Sequence, residues 1–261
     1  MTSVSVADRF EDCAVGLPDG ARRNQGSLQQ LPVLTRDRVE AGWAYYAPLV
    51  AHEIGTRCGA ATPAFARRLA AWQSARGLGR TGIMDQATIT ALKSLWDLRR
   101  PFVVASRRGC PSPPPEASLA VAPADESYGG MTLRLRPAAL AAYNRMLAAA
   151  RAESPQIASD RRLLSLFSAW RSPDADAARC AAEVNCQGVA RASCSAHLTG
   201  LAVDLYLGAA PGYRLDSSDD ANRLYLSQGA AYRWLVANAG RFGFVPYAFE
   251  PWHWEWTGEP I

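Results

Sequence analysis

The chain has 261 residues, of which 49% are hydrophobic and 20% are charged, and its formal net charge is +4. This composition is typical of a globular protein with one large domain or two small ones. The chain contains no apolar run as long as a membrane span, and no basic run interleaved with aromatic residues. We therefore expect neither a membrane-spanning protein nor a nucleic-acid-binding protein, and we expect a monomer.

The first part of the chain is predicted to be a small helical domain. Thr62 and Pro63 form a helix start, and Asp85 is placed to cap a second helix. Apolar residues follow each start at helical spacing, namely Phe65, Leu69 and Trp72, then Ala87, Ile89, Leu92 and Leu95. We predict a domain over residues 1–109 with its core at about 36–98.

Residues Phe65 to Trp96 resemble the helical repeat of peptidoglycan-binding modules. The shared positions are Gln73, Gly77-Leu78, Thr81-Gly82, Asp85-x-x-Thr88 and Ala91-Leu92. The resemblance implies a domain that binds the cell wall. Because such residues also serve as helix caps and turns, a purely structural three-helix unit is the alternative.

A proline-rich segment follows, beginning with Cys110-Pro111-Ser112-Pro113-Pro114-Pro115. Consecutive prolines favour an extended chain and exclude helix, so residues 110–130 are predicted to be a linker. The second domain then covers residues 131–261.

The second domain is predicted to mix strands and helices without regular βαβ alternation. Strands are expected at Met131–Leu135, Leu163–Trp170, Leu201–Leu207 and Trp252–Trp256. Helices are expected from Pro137 toward Arg151, from Pro173 to Ala182, and in two pieces around Gly229 between Asn222 and Asn238. This order favours an α+β fold with a small, mostly antiparallel sheet and flanking helices.

Two of the three histidines lie in segments with the residue types of a catalytic zinc site. His197, Asp204 and His253 supply two imidazoles and a carboxylate, and three protein ligands leave one zinc position open. Gly200 lies between the first two and permits a turn back toward a metal. Cys194 is a competing ligand, whereas His52 lacks the second histidine of a His-Glu-x-x-His helix.

Residues Trp252 to Trp256 alternate, so a strand here places His253 and Glu255 on one face and three tryptophans on the other. Glu255 either orients a metal ligand or faces solvent. Glu250 precedes Pro251, which disfavours helix at that position, and we take Glu250 as the general base.

These segments resemble the VanY-like D-alanyl-D-alanine carboxypeptidases, in the superfamily of lysostaphin, D-Ala-D-Ala peptidases and Sonic hedgehog. The family pattern Ser-x-His-x-x-Gly-x-Ala-x-Asp is matched in full from Ser195 to Asp204. The second pattern, Glu-x-x-Trp-His, departs by one residue. Here Glu250-Pro251-Trp252-His253 has one spacer fewer if the tryptophan is counted, and Glu250 and His253 stand in a Glu-x-x-His spacing. The resemblance implies a Hedgehog/DD-peptidase-like fold, zinc ligands His197, Asp204 and His253, and Glu250 as the catalytic base.

A third element of the family is an arginine in a Tyr-Arg-Ser context. Trp170-Arg171-Ser172 is similar, with tryptophan in place of tyrosine, and Asp176 stands where relatives often have glutamine. Arg171 is therefore expected to bind substrate and offset charge during the reaction. Ser195 and Trp252 are further candidates for substrate binding, although Ser195 alternatively caps a turn.

Six cysteines favour disulfides and an oxidising compartment. Cys13, Cys58 and Cys110 lie in the first part of the chain, and the other three lie just before the zinc motif. Three cysteines cannot all pair within one part, so either one disulfide joins the two parts or each part keeps a free thiol. We expect at least one bridge among Cys180, Cys186 and Cys194. Met1 to Asp8 does not look like a signal peptide, so the protein is either cytosolic or begins after a removed signal; the cysteines favour a periplasmic or secreted protein.

The predicted function is a zinc-dependent D-alanyl-D-alanine carboxypeptidase acting on peptidoglycan stem peptides. The alternatives are an endopeptidase that cuts within the stem or cross-bridge, a non-catalytic zinc-containing wall-binding protein, and a cytosolic dipeptidase.

Overall fold

The structure is a computed structural model and describes residues 11–35, 38–182 and 194–261. The chain divides into two compact units, Met1–Ser94 and Leu95–Ile261. This division lies before the proline-rich segment that we predicted to be a linker. That segment is part of the second unit, because Cys110 is bonded to Cys194 and a short strand at Ala120–Val121 pairs with Arg134–Leu135.

Within its described residues, the first unit contains a hairpin and four α-helices, the last of which extends into the second unit. These elements are α1 (Pro18–Ser27), β1 (Pro32–Thr35), β2 (Arg38–Ala41), α2 (Ala47–Glu53), α3 (Pro63–Ser74) and α4 (Gln86–Arg99). The disulfide Cys13–Cys58 also lies in this unit. The predicted helix starts are confirmed, since Phe65 N donates to Thr62 Oγ1 at 3.4 Å and Thr88 N donates to Asp85 Oδ1 at 2.8 Å.

Three of the residues shared with peptidoglycan-binding modules, Gln73, Gly82 and Thr88, are joined by hydrogen bonds. The Gln73 amide donates to Thr88 Oγ1 and to the Ile83 carbonyl, both at 2.9 Å, and it accepts from Gly82 N at 2.8 Å. Gln73 therefore joins α3 to α4 and to the loop between them. This arrangement accounts for the motif by structure alone, and wall binding by this unit stays a prediction.

The second unit is an α+β domain, as predicted. Its helices are α5 (Pro101–Ser106), α6 (Pro137–Glu153), α7 (Pro155–Ser159), α8 (Pro173–Ala182), α9 (Asp220–Gln228) and α10 (Ala230–Asn238). Its strands are β3 (Ala120–Val121), β4 (Arg134–Leu135), β5 (Leu166–Ser168), β6 (Ala202–Leu205), β7 (Phe244–Pro246) and β8 (His253–Trp256). Among the described residues, no helix is long and apolar enough to cross a bilayer.

The main sheet has the strand order β5-β6-β8-β7, and every neighbouring pair is antiparallel. Its two central strands, β6 and β8, are buried along their whole length. The strand predicted over Leu163–Trp170 is shortened at both ends, to Leu166–Ser168. At its start, Leu164 has φ +65° and interrupts the regular extended backbone. The break predicted at Gly229 is confirmed, since this residue is extended between α9 and α10.

Candidate metal centre and active site

The antiparallel register of the central strands places two predicted ligands side by side. Asp204 on β6 lies directly opposite His253 on β8, and Ser168 on β5 lies on the other side of Asp204. The strands alternate as predicted, so Glu255 follows His253 on the same face. The sheet therefore brings together residues that are 49 positions apart in sequence.

His197 reaches the same point from a short 3₁₀ turn, Ala196–Thr199, which ends at Gly200. Gly200 has φ +71°, and a Cβ on it would lie 3.1 Å from Leu119 Cδ2. The positive φ therefore favours glycine at this position, and a Cβ here would also be in tight contact with the Leu119 side chain. The turn leads directly into β6, which returns the chain to Asp204.

The side chains of His197, Asp204 and His253 form a buried group, the metal-competent group, with donor atoms within 4.8 Å of one another. Asp204 Oδ1 lies 2.9 Å from His253 Nδ1, and Asp204 Oδ2 lies 3.2 Å from His197 Nε2. Two ligands bound to one zinc at about 2.1 Å can have such separations. Two imidazoles and a carboxylate are also donors that zinc accepts, so this group fits a metal ion.

The electrostatics of the group follow from its burial. Burial and the nearby Arg171 lower the pKa of His197 to about 4, so its ring is neutral, the form that binds metal. Burial opposes charge on Asp204 as well, but the two histidines outweigh it and hold the pKa of Asp204 well below its usual range. Burial also opposes charge on His253, yet Asp204 and Glu255 raise its pKa to about 9.

Arg171 is held beside this group by side chains from three segments. Its Nε donates to Asp176 Oδ1 at 2.6 Å, its Nη1 to Ser168 Oγ at 2.8 Å, and its Nη2 to Ser195 Oγ at 3.5 Å. Ser195 Oγ in turn donates to Asp176 Oδ2. Asp176, the position where relatives often carry glutamine, is buried and is the ionic partner of Arg171. Sequence reasoning left this role open.

Glu250 lies in the turn that enters β8. Its backbone N donates to the Tyr247 carbonyl at 3.0 Å, and His253 N donates to the Glu250 carbonyl at 2.9 Å. This turn holds Glu250 three residues before a metal ligand, with its side chain half-buried. Trp252, which we predicted to bind substrate, is only 3% exposed. Its ring therefore offers little surface to a ligand, and that role stays a prediction.

Glu255 is 2% exposed, so the alternative that it faces solvent is wrong. Its Oε1 lies 2.7 Å from Arg100 Nη2 and 3.5 Å from His253 Nε2. Although burial opposes it, the Arg100 guanidinium lowers the pKa of Glu255 to about 2. The role of Arg100 as the partner of Glu255 was not predicted from the sequence. The sequence indicated only that Glu255, if buried, would need a positively charged partner.

One of the two arrangements predicted for the cysteines is confirmed, since a disulfide joins Cys110 to Cys194, one cysteine from each of the two groups of three. The bridge predicted among Cys180, Cys186 and Cys194 involves a residue outside the described ranges and stays a prediction. Cys194 is bonded to Cys110, so it is not available as a thiolate ligand beside His197. Cys180 is also disulfide-bonded, whereas Cys186 lies outside the described residues. His52 is exposed on α2 and is not part of the metal-competent group.

The fold and site define a class of protein, namely an α+β domain with a buried His-Asp-His group able to bind a metal on a small antiparallel sheet. Residues 132–259 match the VanY family, described as D-alanyl-D-alanine carboxypeptidase. The chain is a VanY-like protein over this region, and the match supports a peptidase of the D-Ala-D-Ala carboxypeptidase type. No curated protein matches the chain significantly.

Proposed function

We propose that this chain is a zinc-dependent D-alanyl-D-alanine carboxypeptidase that hydrolyses the D-Ala-D-Ala end of peptidoglycan stem peptides. The observation that carries this proposal is the buried group of His197, Asp204 and His253, with Glu250 in the turn that leads to His253. The family match over residues 132–259 supports the same reaction type.

In this proposal His197, Asp204 and His253 hold the zinc ion. When bound, zinc supplies a water of lowered pKa and polarises the scissile carbonyl. Glu250 accepts a proton from the attacking water and then donates it to the nitrogen of the departing D-alanine, so one carboxylate serves both proton transfers. Asp204 supplies the negative charge that two neutral imidazoles lack.

Arg171 is proposed to bind the carboxylate at the end of the substrate, or the oxygen of the scissile carbonyl as negative charge develops there. A guanidinium suits both, since its planar fork can donate two parallel hydrogen bonds. Asp176, Ser168 and Ser195 hold Arg171 in place, which reduces the conformational freedom lost on binding.

A periplasmic or secreted location is part of the proposal. It is supported by disulfide bonding at each of the five described cysteines, because disulfides persist in oxidising compartments. The peptidoglycan substrate lies in such a compartment.

Product analysis on defined muropeptides tests the function. We expect the protein to convert a free pentapeptide stem into a tetrapeptide and D-alanine, to lose this activity with a chelator, and to regain it with added zinc. Cleavage of cross-linked sacculi with an uncut pentapeptide would instead identify an endopeptidase. Zinc binding with neither cleavage would identify a non-catalytic wall-binding protein.

A further inference from the structure

His197 and His253, the two histidines of the metal-competent group, each have a second ring nitrogen that faces away from Asp204. His197 Nδ1 lies 2.6 Å from the Ala169 carbonyl oxygen. Because a carbonyl can only accept, this nitrogen carries a hydrogen and leaves Nε2 for the metal. Nε2 is also the nitrogen that lies 3.2 Å from Asp204.

His253 has the opposite orientation. Its Nδ1 faces Asp204, and its Nε2 is buried with no hydrogen-bond partner among the described residues. The acid at this nitrogen is Glu255, with Oε1 at 3.5 Å. A buried ring nitrogen beside a carboxylate is the arrangement in which a metal-ligating histidine donates its second N–H to an acid.

Glu255 is itself fixed through both carboxylate oxygens. Arg100 donates to Oε1 from Nε at 2.8 Å and from Nη2 at 2.7 Å, and Phe102 N donates to Oε2 at 3.0 Å. The Arg100 guanidinium also lies over the Tyr247 ring, 3.8 Å from its centroid. Arg100 thus contacts Glu255, and Glu255 lies next to His253, a member of the metal-competent group.

We infer that Glu255, held by Arg100, is a positioning residue that makes His253 present Nδ1 to the metal. This inference rests on the proposed metal role of His253. The geometry supports it in two ways: the carboxylate lies next to the nitrogen that would not bind metal, and a buried cation removes its freedom to turn elsewhere. A role in stability alone would require the charge pair but not its placement at His253 Nε2.

Zinc affinity of paired variants tests the inference without using hydrolysis. The double variant Arg100→Met/Glu255→Met replaces the buried ion pair with apolar side chains, which proteins often tolerate. It removes the acceptor for His253 Nε2, and we expect the zinc dissociation constant to rise about 10- to 100-fold. Arg100→Met/Glu255→Gln keeps a side-chain carbonyl acceptor without the charge, so it should bind zinc more tightly than the first double variant.

The matched control is Leu166→Ala, which leaves a cavity against the same sheet: Leu166 is fully buried on edge strand β5, and its register partner is Leu205 rather than a residue of the metal-competent group. We expect it to lower the melting temperature but to keep wild-type zinc affinity. Equal zinc affinity in the wild type and Arg100→Met/Glu255→Met would overturn the inference, as would an equal loss of affinity in Leu166→Ala.

Nitrogen NMR of the zinc-loaded wild type provides a second test that needs no variant at Glu255. The chain has three histidines, and His52→Gln removes the one outside the site. We expect His253 to bind zinc through Nδ1 and to carry its hydrogen on Nε2; zinc bound at Nε2 would contradict the inference. Tight zinc binding through Nδ1 without hydrolysis would instead sink the proposed function and leave this inference standing.

Discussion

Arg171 and Asp176 form an ion pair beside the candidate metal centre, with Arg171 Nε 2.6 Å from Asp176 Oδ1. Asp176 is 3% exposed, whereas Arg171 keeps a partly exposed side chain. The carboxylate therefore holds the guanidinium in place while part of the Arg171 side chain stays accessible to solvent.

Arg171→Lys is predicted to weaken substrate binding. Lysine cannot reproduce the contacts that Nε, Nη1 and Nη2 make with Asp176, Ser168 and Ser195. Loss of a hydrogen bond to a charged group corresponds to about 1.5–3 kcal/mol, so KM for a free pentapeptide should rise roughly 10- to 100-fold. Steady-state kinetics with Arg241→Lys as control, an arginine paired with Glu153 at the surface, checks this. An unchanged KM would remove Arg171 from substrate binding.

Glu250→Gln is predicted to remove proton transfer and to preserve the metal site. General acid and base catalysis typically accelerates a reaction by about 10²- to 10⁴-fold, so kcat should fall by about 10²-fold or more. Zinc content measured by atomic spectroscopy should match the wild type, because Glu250 is not among the three proposed ligands. Glu153→Gln is the control and should be fully active. Wild-type turnover by Glu250→Gln would show that another group is the base.

The Cys110–Cys194 disulfide is predicted to stabilise the second unit and the segment entering the site. Ser195 follows Cys194 directly, and the bond closes a sequence separation of 84 residues. Cys110→Ser/Cys194→Ser should lower the free energy of unfolding by about 2–4 kcal/mol and reduce hydrolysis.

The matched control is Cys13→Ser/Cys58→Ser, which removes the disulfide of the first unit. We expect it to destabilise that unit and to leave pentapeptide hydrolysis unchanged. The same loss of hydrolysis in both double variants would rule out a specific effect of Cys110–Cys194 on the site.

Glu11 is predicted to make stability depend on pH. Burial alone raises its pKa, but Thr56, which donates to Oε2 at 2.6 Å, and Arg68, 3.0 Å from Oε1, outweigh it and lower the pKa. A lowered folded-state pKa stabilises the protein above the unfolded-state value, and this contribution is lost as pH falls through the folded-state value. Glu11→Gln should therefore cost on the order of 1 kcal/mol at pH 7. Urea denaturation at pH values from 7 to 2 should show that the difference in unfolding free energy between the wild type and Glu11→Gln becomes smaller as the pH falls. The control is Asp19→Asn, at a side chain that is 83% exposed, and its unfolding free energy should differ little from that of the wild type. A difference that is constant with pH would contradict the assignment.

Much of the site could be predicted from sequence, since its chemistry is encoded locally. The turn at Gly200 and the alternation of β8 depend on backbone preferences of a few residues, and they identify His197, Asp204 and His253 without knowledge of the fold. The caps at Thr62 and Asp85 are local in the same sense. The strand ends were less predictable, because the positive φ of Leu164 has no local signal in a leucine.

By itself, the sequence determined the residue types and spacing of the metal-competent group, the α+β class, and the order of strands β4, β5, β6 and β8 and helices α6, α8, α9 and α10. Only the tertiary structure decided which distant residues support that group: Arg100 behind Glu255, Asp176 behind Arg171 and Cys110 bonded to Cys194. The physical reason is that a buried charge requires a partner but does not specify which one. With 28 lysines and arginines in the chain, the choice depends on which of them the packing buries against the carboxylate.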